Sequence, residues 1–398
     1  MGTWDIAVAG CGPAGLAAAL LLHRDGHRVT LFERFDAPKP VGSGLMIQPT
    51  GQAVLRALGL EERLLAAGSR VDRLFGRAGE EGLIVLDVRY AALGAKAGFG
   101  VGIHRAALFA ILHDAVTAAG VPIETGRPIA ASRLDGGRRR LRFEDGSEAG
   151  PFDLVVDALG TRTPLAPPAG RALAYGALWA SLDWPDGAGF DAAALEQRYR
   201  RASVMAGVLP IGVPPGRGGR QAAFFWSLRA DRLEAWCAAG LEAWKDEVLR
   251  LWSVLAPLLE QIEAPEQLTF ARYAHRTLAA PAEPAMIHIG DAWHSASPQL
   301  GQGANMALID AYALALALRS KPEVDAAIGW AIALRRRHVA LFQWLTALFT
   351  PVYQSDSRVL PFVRDRLVGP LSRIWPATRI QAAMVSGLVG DPLTPLGL

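Results

Sequence analysis

Asp5-Ile6-Ala7-Val8-Ala9-Gly10-Cys11-Gly12-Pro13-Ala14-Gly15 sets the fold: an apolar strand runs straight into a G-x-G-x-x-G pattern. An Ala/Leu-rich run follows to His23, with Pro13 where a first helical turn tolerates proline, and Arg28–Phe32 is β-branched and apolar. The order is strand, helix, strand, the context in which these glycines carry meaning. Gly10 permits the tight turn, Gly12 lets the backbone approach a pyrophosphate, and Gly15 packs helix on strand. Pro13 and Ala14 open a helix whose unpaired N–H groups and positive dipole end face the phosphates. Glu33 closes the second strand, where a carboxylate accepts from an adenosine ribose hydroxyl and disfavours a 2′-phosphate. The expected ligand is therefore FAD or NAD rather than NADP.

Downstream of this unit the pattern changes to hairpins. Pro128–Leu134, Arg138–Phe143 and the strands through Ser147–Ala158 are separated by turns at Asp135-Gly136-Gly137 and Glu144-Asp145-Gly146, a β-meander that leads into a buried strand. Asp72–Val88 reads as a hairpin with Gly79–Gly82 at its tip, and strand-like pieces lie around Trp179, Val204–Leu209 and Ala222–Leu228. These would form a second sheet. Helices are expected over Leu233–Leu255 and, after a third nucleotide-type strand at Met286–Ile289, almost to Leu398.

The 398 residues are 51% hydrophobic and 20% charged, which excludes disorder of the whole chain. A net charge of +3, evenly spread, gives no nucleic-acid footprint. Cys11 and Cys237 cannot build a disulfide framework and lack zinc-site spacing, and the eight histidines show no His-x-x-x-His or carboxylate pairing on a helix face, His23 and His27 being separated by Asp25-Gly26, so no metal is expected. Met1–Asp5 has no basic region of a signal peptide, and no apolar run reaches the roughly 18 to 20 residues that span a bilayer. A cytoplasmic location is expected.

A second constellation lies far along the chain: Gly290-Asp291-Ala292-Trp293-His294, then Pro298-Gln299-Leu300-Gly301-Gln302-Gly303-Ala304-Asn305, then Asp310-Ala311. An apolar strand ends at Gly-Asp, and a glycine-rich loop opens a helix; such a carboxylate grips a polyol and such a helix start stabilises an anion. With the nucleotide loop ending in Glu33-Arg34 and the central His104-Arg105-Ala106-Ala107-Leu108, this block resembles the FAD-dependent aromatic hydroxylases of the para-hydroxybenzoate hydroxylase fold, the group A flavoprotein monooxygenases. The resemblance covers about the first 320 residues.

That resemblance implies an α/β fold: a Rossmann-like FAD-binding domain (1–72, 103–172 and 270–335) interleaved with a β-sheet substrate domain (73–102 and 173–269), and C-terminal helices over 336–398. It implies that Asp291 binds the ribitol chain of FAD, that Gly301, Gln302, Gly303, Ala304 and Asn305 lie beside the flavin's pyrimidine edge, and that Pro298 stands over its face. Arg105, Gly44, Ile129 and Gly290 complete the cofactor set. NADH or NADPH would reduce the flavin, and O2 would be activated as a C4a-hydroperoxide that hydroxylates or epoxidises a hydrophobic, aromatic small molecule. One departure stands out: where the family has its Asp-Gly motif, this chain reads Asp157-Ala158-Leu159-Gly160, with Leu159 at the aspartate's place. This bears on how the reductant docks.

Met46, Gln48, Trp179, Met205, Phe224 and Trp226 are the candidate substrate-pocket residues, although alternation along a strand sets Phe224 and Trp226 on one face and Phe225 on the other. His104 and His294 are read as shaping the flavin site. Arg198, Arg200, Arg201 and Arg335-Arg336-Arg337 are read as solvated faces. The apolar stripe from Leu341 to Phe349 is read as core or a dimer face, with peripheral membrane contact as the lesser reading. The chain is expected to be a monomer or homodimer. Two rival functions remain: a flavin-dependent reductase or dehydrogenase acting on a quinone or isoprenoid, and a non-catalytic flavoprotein that binds a hydrophobic ligand or a partner.

Overall fold

The computed structural model describes residues 2–37, 43–96 and 98–398. Met1 and Gly42, the latter from the turn before Gly44, lie outside the described residues. A six-stranded sheet runs in the order Ala282–Glu283, Met286–His288, Leu154–Asp157, Asp5–Ala9, Arg28–Phe32, Ile123–Glu124. Only the Ala282–Glu283 edge strand is antiparallel to its neighbour. Its central strands are apolar on both faces because both faces are covered. Ile6 and Val8 meet the helices Pro13–Arg24, Arg105–Ala118 and Gly303–Ser320, whereas Ala7, Ala9 and Phe32 meet Ile129, Leu141 and Phe143 of the meander.

The second sheet has eight strands in the order His294–Ser295, Thr269–Thr277, Arg171–Asp183, Gln221–Arg229, Val204–Pro210, Ala194–Arg200, Arg73–Ala78, Ile84–Arg89. Its outer face packs Leu178, Phe224 and Trp226 against Trp244, Val248 and Leu251 of the helical stretch that begins at Leu233. Its inner face packs Leu74, Leu209 and Ala223 against Met46, Val71, Ala382 and Val385. His294–Ser295 pairs with Arg276 and Thr277, so the chain leaving the Gly290-Asp291 loop is stitched to this second sheet.

A long helix, Val324–Tyr353, then crosses the molecule, followed by short helices to the C-terminus. Two expected solvated arginines are inside. Arg335 is 1% exposed, held by an ion pair to buried Asp310, and buried Arg198 stacks 4.3 Å from the Trp252 ring. Spacing alone marks these arginines as surface because a buried guanidinium depends on partners from distant elements. The Leu341–Phe349 stripe divides: Phe342 and Leu345 are core, while Trp344 and Leu348 are exposed. No helix is long and apolar enough to cross a membrane among the described residues.

Candidate active site

The three glycines of the first loop are needed for different reasons. Gly10 has φ +101°, and a Cβ there would meet the Ala158 carbonyl oxygen at 2.7 Å; a Cβ on Gly15 would lie 1.9 Å from the Gly10 oxygen. Gly12 faces nothing within 4 Å, so its side opens on empty space at the head of the helix. Gly12 caps that helix with no side-chain bond, leaving the first N–H groups beyond Pro13, beginning with Ala14, to face outward. Glu33 accepts from Cys11 N at 3.0 Å and from Phe35 N at 3.2 Å, which aims its carboxylate at the loop. Burial, with Glu33 nearby, pushes the Cys11 thiol up to about 12, so it is inert at neutral pH. Arg34 is exposed beside Phe35, and Ile129 packs in the core with Ala9 and Phe32.

Gly290, with φ +57°, is wedged between Ala14 and Ala307, each 3.2 Å from where its Cβ would be, so the two helices converge on the Gly-Asp turn. Its N–H donates to Asp310 Oδ2 at 3.0 Å; His294 Nε2 lies 2.6 Å from the same oxygen, and Arg335 Nε donates to Oδ1 at 2.7 Å. Burial alone would raise the Asp310 pKa, but His294 and Arg335 hold it down at about 2. Arg335 also donates to His338 Nδ1 at 3.0 Å, and His338 Nε2 donates to the Gly387 carbonyl at 3.1 Å. Burial and Arg335 depress the His338 pKa to about 3, so this ring is neutral, as both bonds require. His294 is therefore a positioning group locked to Asp310.

Asp291 behaves differently. Its side chain is exposed, yet desolvation raises its pKa against the pull of His294 and Arg105. Its carboxylate is thus solvent-accessible although the surrounding atoms desolvate it. Arg105, also exposed, opens the helix that His104 caps by accepting from Ala106 N at 3.0 Å. A Cβ on Gly44 would strike Ile211 and Ala223 within 2.7 Å, so its role is close approach to the second sheet.

The loop Pro298–Asn305 completes one wall. Pro298 and Gly303 are exposed, Gly301 has φ +61°, and nothing lies within 4 Å of a Cβ on Gly303. The Gly303–Ser320 helix has no side-chain cap, so the amides of Gly303, Ala304 and Asn305 have no partner within it. The Asn305 side chain is a staple: Oδ1 accepts from Gln48 N at 2.8 Å, while Nδ2 donates to the Met46 and Gly301 carbonyls at 3.1 and 2.9 Å. Gln302 donates to the Val385 carbonyl, fastening the C-terminal segment over the loop. The buried Gln299 Nε2 and Gln302 Oε1 have no protein partner.

These features fit FAD: a side-chain-free opening at Gly12, an enclosed but accessible Asp291, and an uncapped helix start at Gly303. Residues 3–157 match the family model described as FAD binding domain. The 3-amino-4-hydroxybenzoate 2-monooxygenase of Streptomyces cremeus is 27% identical over 80% of this chain and 79% of its own. The chain carries an FAD-binding domain and over most of its length resembles FAD-dependent aromatic monooxygenases. The aurachin C monooxygenase/isomerase of Stigmatella aurantiaca is 26% identical to the enzyme over 98% of both chains. The structure of Klebsiella pneumoniae HpxO complexed with FAD and uric acid shares its fold, with TM-score 0.80, 18% identity and 98% coverage of both chains.

The enzyme's inner sheet face corrects part of the expected pocket. Phe224 and Trp226 lie on the outer face, T-shaped against Trp244 at 6.1 and 6.4 Å, and cannot reach the flavin side. Phe225 is the inward residue: its ring lies across Gly207 and 4.8 Å from Trp179. Trp179 joins two apolar clusters, one with Met46 and Tyr90, the other with Met205 and Phe225. Gln48 accepts from Tyr90 beneath the Gly301 turn. Tyr273, next to the expected set but missed, accepts from Trp179 Nε1 at 2.9 Å. Alternation tells which residues share a face but not which face fronts the cofactor.

Phe224→Ala is accordingly expected to cost about 3 to 5 kcal/mol of stability, and Phe225→Ala to raise KM about tenfold. Denaturant midpoints beside steady-state kinetics check both.

Asp157 explains the altered Asp-Gly region. The carboxylate is fully buried and accepts from Leu159 N at 2.9 Å and Thr163 Oγ1 at 2.6 Å, with His288 Nδ1 2.7 Å away. It pins the loop from within and offers no oxygen to a cofactor.

Proposed function

We propose that the enzyme uses NADH or NADPH and O2 to hydroxylate or epoxidise a hydrophobic aromatic small molecule held between the flavin-edge loop and the inner face of the substrate sheet. The observation that carries this reading is a group of apolar and aromatic side chains beside the loop: Trp179, Phe225 and Tyr273 of the eight-stranded sheet cluster with Met46 and Tyr90, and the Met46 carbonyl accepts from Asn305 at the loop's end. Bound FAD would supply the two-electron chemistry that links nicotinamide to oxygen.

The chain's own residues do the rest. Asp291 and Arg105 would hold the ribitol and phosphate parts, and the amides at Gly303 and Ala304 would stabilise negative charge at the flavin's pyrimidine edge. Pro298 would direct its carbonyl to the substrate. Trp179 and Phe225 would stack the aromatic ring. The Tyr273 hydroxyl, already accepting from Trp179, keeps its own proton to donate to a substrate oxygen, and burial pushes its pKa up to about 12, so it stays protonated. Gln302 and the segment it fastens would exclude water.

One observation favours the rival reductase reading: the inward commitment of Asp157, which removes a carboxylate that the family associates with nicotinamide handling. Oxidation of NADH and NADPH in the presence of phenols, quinolones and quinones separates the two. Acceleration by an aromatic compound, with one oxygenated product per nicotinamide oxidised, is expected. Reduced quinone without oxygenated product would establish the reductase.

A further inference from the structure

Between Val359 and Ile380 the usual arrangement of a surface helix is inverted. Pro361, Arg364, Gly369 and Ser372 face the protein, while Val359, Phe362, Leu367, Leu371, Ile374 and Trp375 face outward, Phe362 being 64% and Trp375 76% exposed. Of the eighteen large hydrophobic residues exposed among the described residues, ten fall in this stretch. Such a concentration marks a surface that meets something apolar. The inward side is held specifically: Arg364 donates to the Val352 and Arg201 carbonyls at 3.1 and 3.0 Å and lies over the Tyr199 and Tyr353 rings. Gly369 rests against the Ile84 carbonyl, where a Cβ would approach to 2.8 Å. The outward display is thus built into the fold.

We propose that this face seats on a bilayer surface containing anionic phospholipid. Charge decides the occupant. Arg366, Arg373 and Arg379 stand exposed among the apolar residues, and the sole carboxylate of the stretch, Asp365, is paired with Arg364. Aliphatic and aromatic side chains interleaved with arginine and bare of acid match a phosphate-lined interface, where the rings enter the acyl boundary and the guanidiniums stay with the headgroups. A two-fold contact with a second copy would instead set the same arginines against one another. No described helix can span a membrane, so the segment lies on the surface rather than crossing it.

The position is consistent with delivery of a lipophilic substrate. The next helix, Ala377–Val385, buries Ala382 and Val385 in the cluster that contains Met46 and Trp179. An open depression of about 300 Å³, lined by Pro376, Arg379, Ile380, Ala383 and Val389, indents the same surface. The inference goes beyond the proposed reaction and stands whether or not that reaction is correct.

Flotation of the FAD-loaded enzyme tests it, with vesicles of phosphatidylcholine alone and of phosphatidylcholine mixed with phosphatidylglycerol. Binding to the mixed vesicles is expected, weakening as salt rises. Arg366→Glu/Arg373→Glu/Arg379→Glu and Phe362→Ser/Trp375→Ser should each reduce it at least about tenfold, with flavin content and circular dichroism unchanged. In the unmutated protein, lipids brominated in their acyl chains should quench a fraction of tryptophan emission that Trp375→Phe removes, a readout independent of how the multiple variants fold. Absence of binding to either vesicle, binding that survives both variants, or a dimer dissociated by Phe362→Ser/Trp375→Ser would overturn the proposal.

Discussion

Gly12→Val is expected to yield a folded protein that no longer retains FAD, whereas Gly15→Val should fail to fold. The two glycines lie in one turn, but a Cβ on Gly12 meets nothing within 4 Å and one on Gly15 meets the Gly10 oxygen at 1.9 Å. Gly12 has φ −73°, a conformation any residue adopts, so valine there adds no backbone strain. Its methyl groups would occupy the space at the helix head where a pyrophosphate must touch the backbone amides. At Gly15 the clash is with backbone that cannot move without breaking the turn set by Gly10. Purification with flavin absorbance, circular dichroism and a thermal melt distinguishes the outcomes. A yellow Gly12→Val protein would show that the opening is not the cofactor's.

The second large effect belongs to Arg335. Replacing it by methionine removes one cation from a carboxylate buried at 1% side-chain exposure, and breaking such a pair costs about 3 to 5 kcal/mol. The loss should appear as a lower denaturant midpoint and a marked loss of acid resistance. The folded Asp310 pKa of about 2 lies below its unfolded value of about 3.9, so the carboxylate's contribution is complete above pH about 4 and disappears as pH falls toward 2. His338 acts in the same direction. Its folded pKa of about 3 lies below the unfolded value of about 6.5, so stability already declines as pH falls through that interval. In Arg335→Met the Asp310 pKa rises and acid unfolding moves to higher pH. An unchanged acid midpoint would mean that the Asp310–Arg335 pair contributes little.

Much of the nucleotide half was legible because its signals are local. Asp5–Ala9 and Arg28–Phe32 begin and end where their residues suggest, since glycine and the polar Arg24-Asp25-Gly26 turn punctuate them. The Gly290-Asp291 and Pro298–Asn305 blocks are equally local signals, and the structure gathers both around the helix that begins at Gly303. What stayed hidden depends on distant partners. Nothing near Arg335 in sequence indicates Asp310, twenty-five positions away on another helix. Phe224 and Phe225 are adjacent and alike, and only the helices after Leu233 determine which of them is turned away. Tyr273 gave no signal beyond its type. The outward apolar residues of Val359–Ile380 look like ordinary core until the buried Arg364 fixes the orientation of the segment.

The central claim is that this FAD enzyme inserts oxygen into an aromatic substrate, and labelled dioxygen tests it most directly. The aromatic compound that most accelerates nicotinamide oxidation would be turned over under isotopically heavy O2 in ordinary water, and the product weighed by mass spectrometry. Incorporation of one heavy oxygen atom per product is expected. Product carrying oxygen from water alone, or all the label recovered as hydrogen peroxide, would contradict the account.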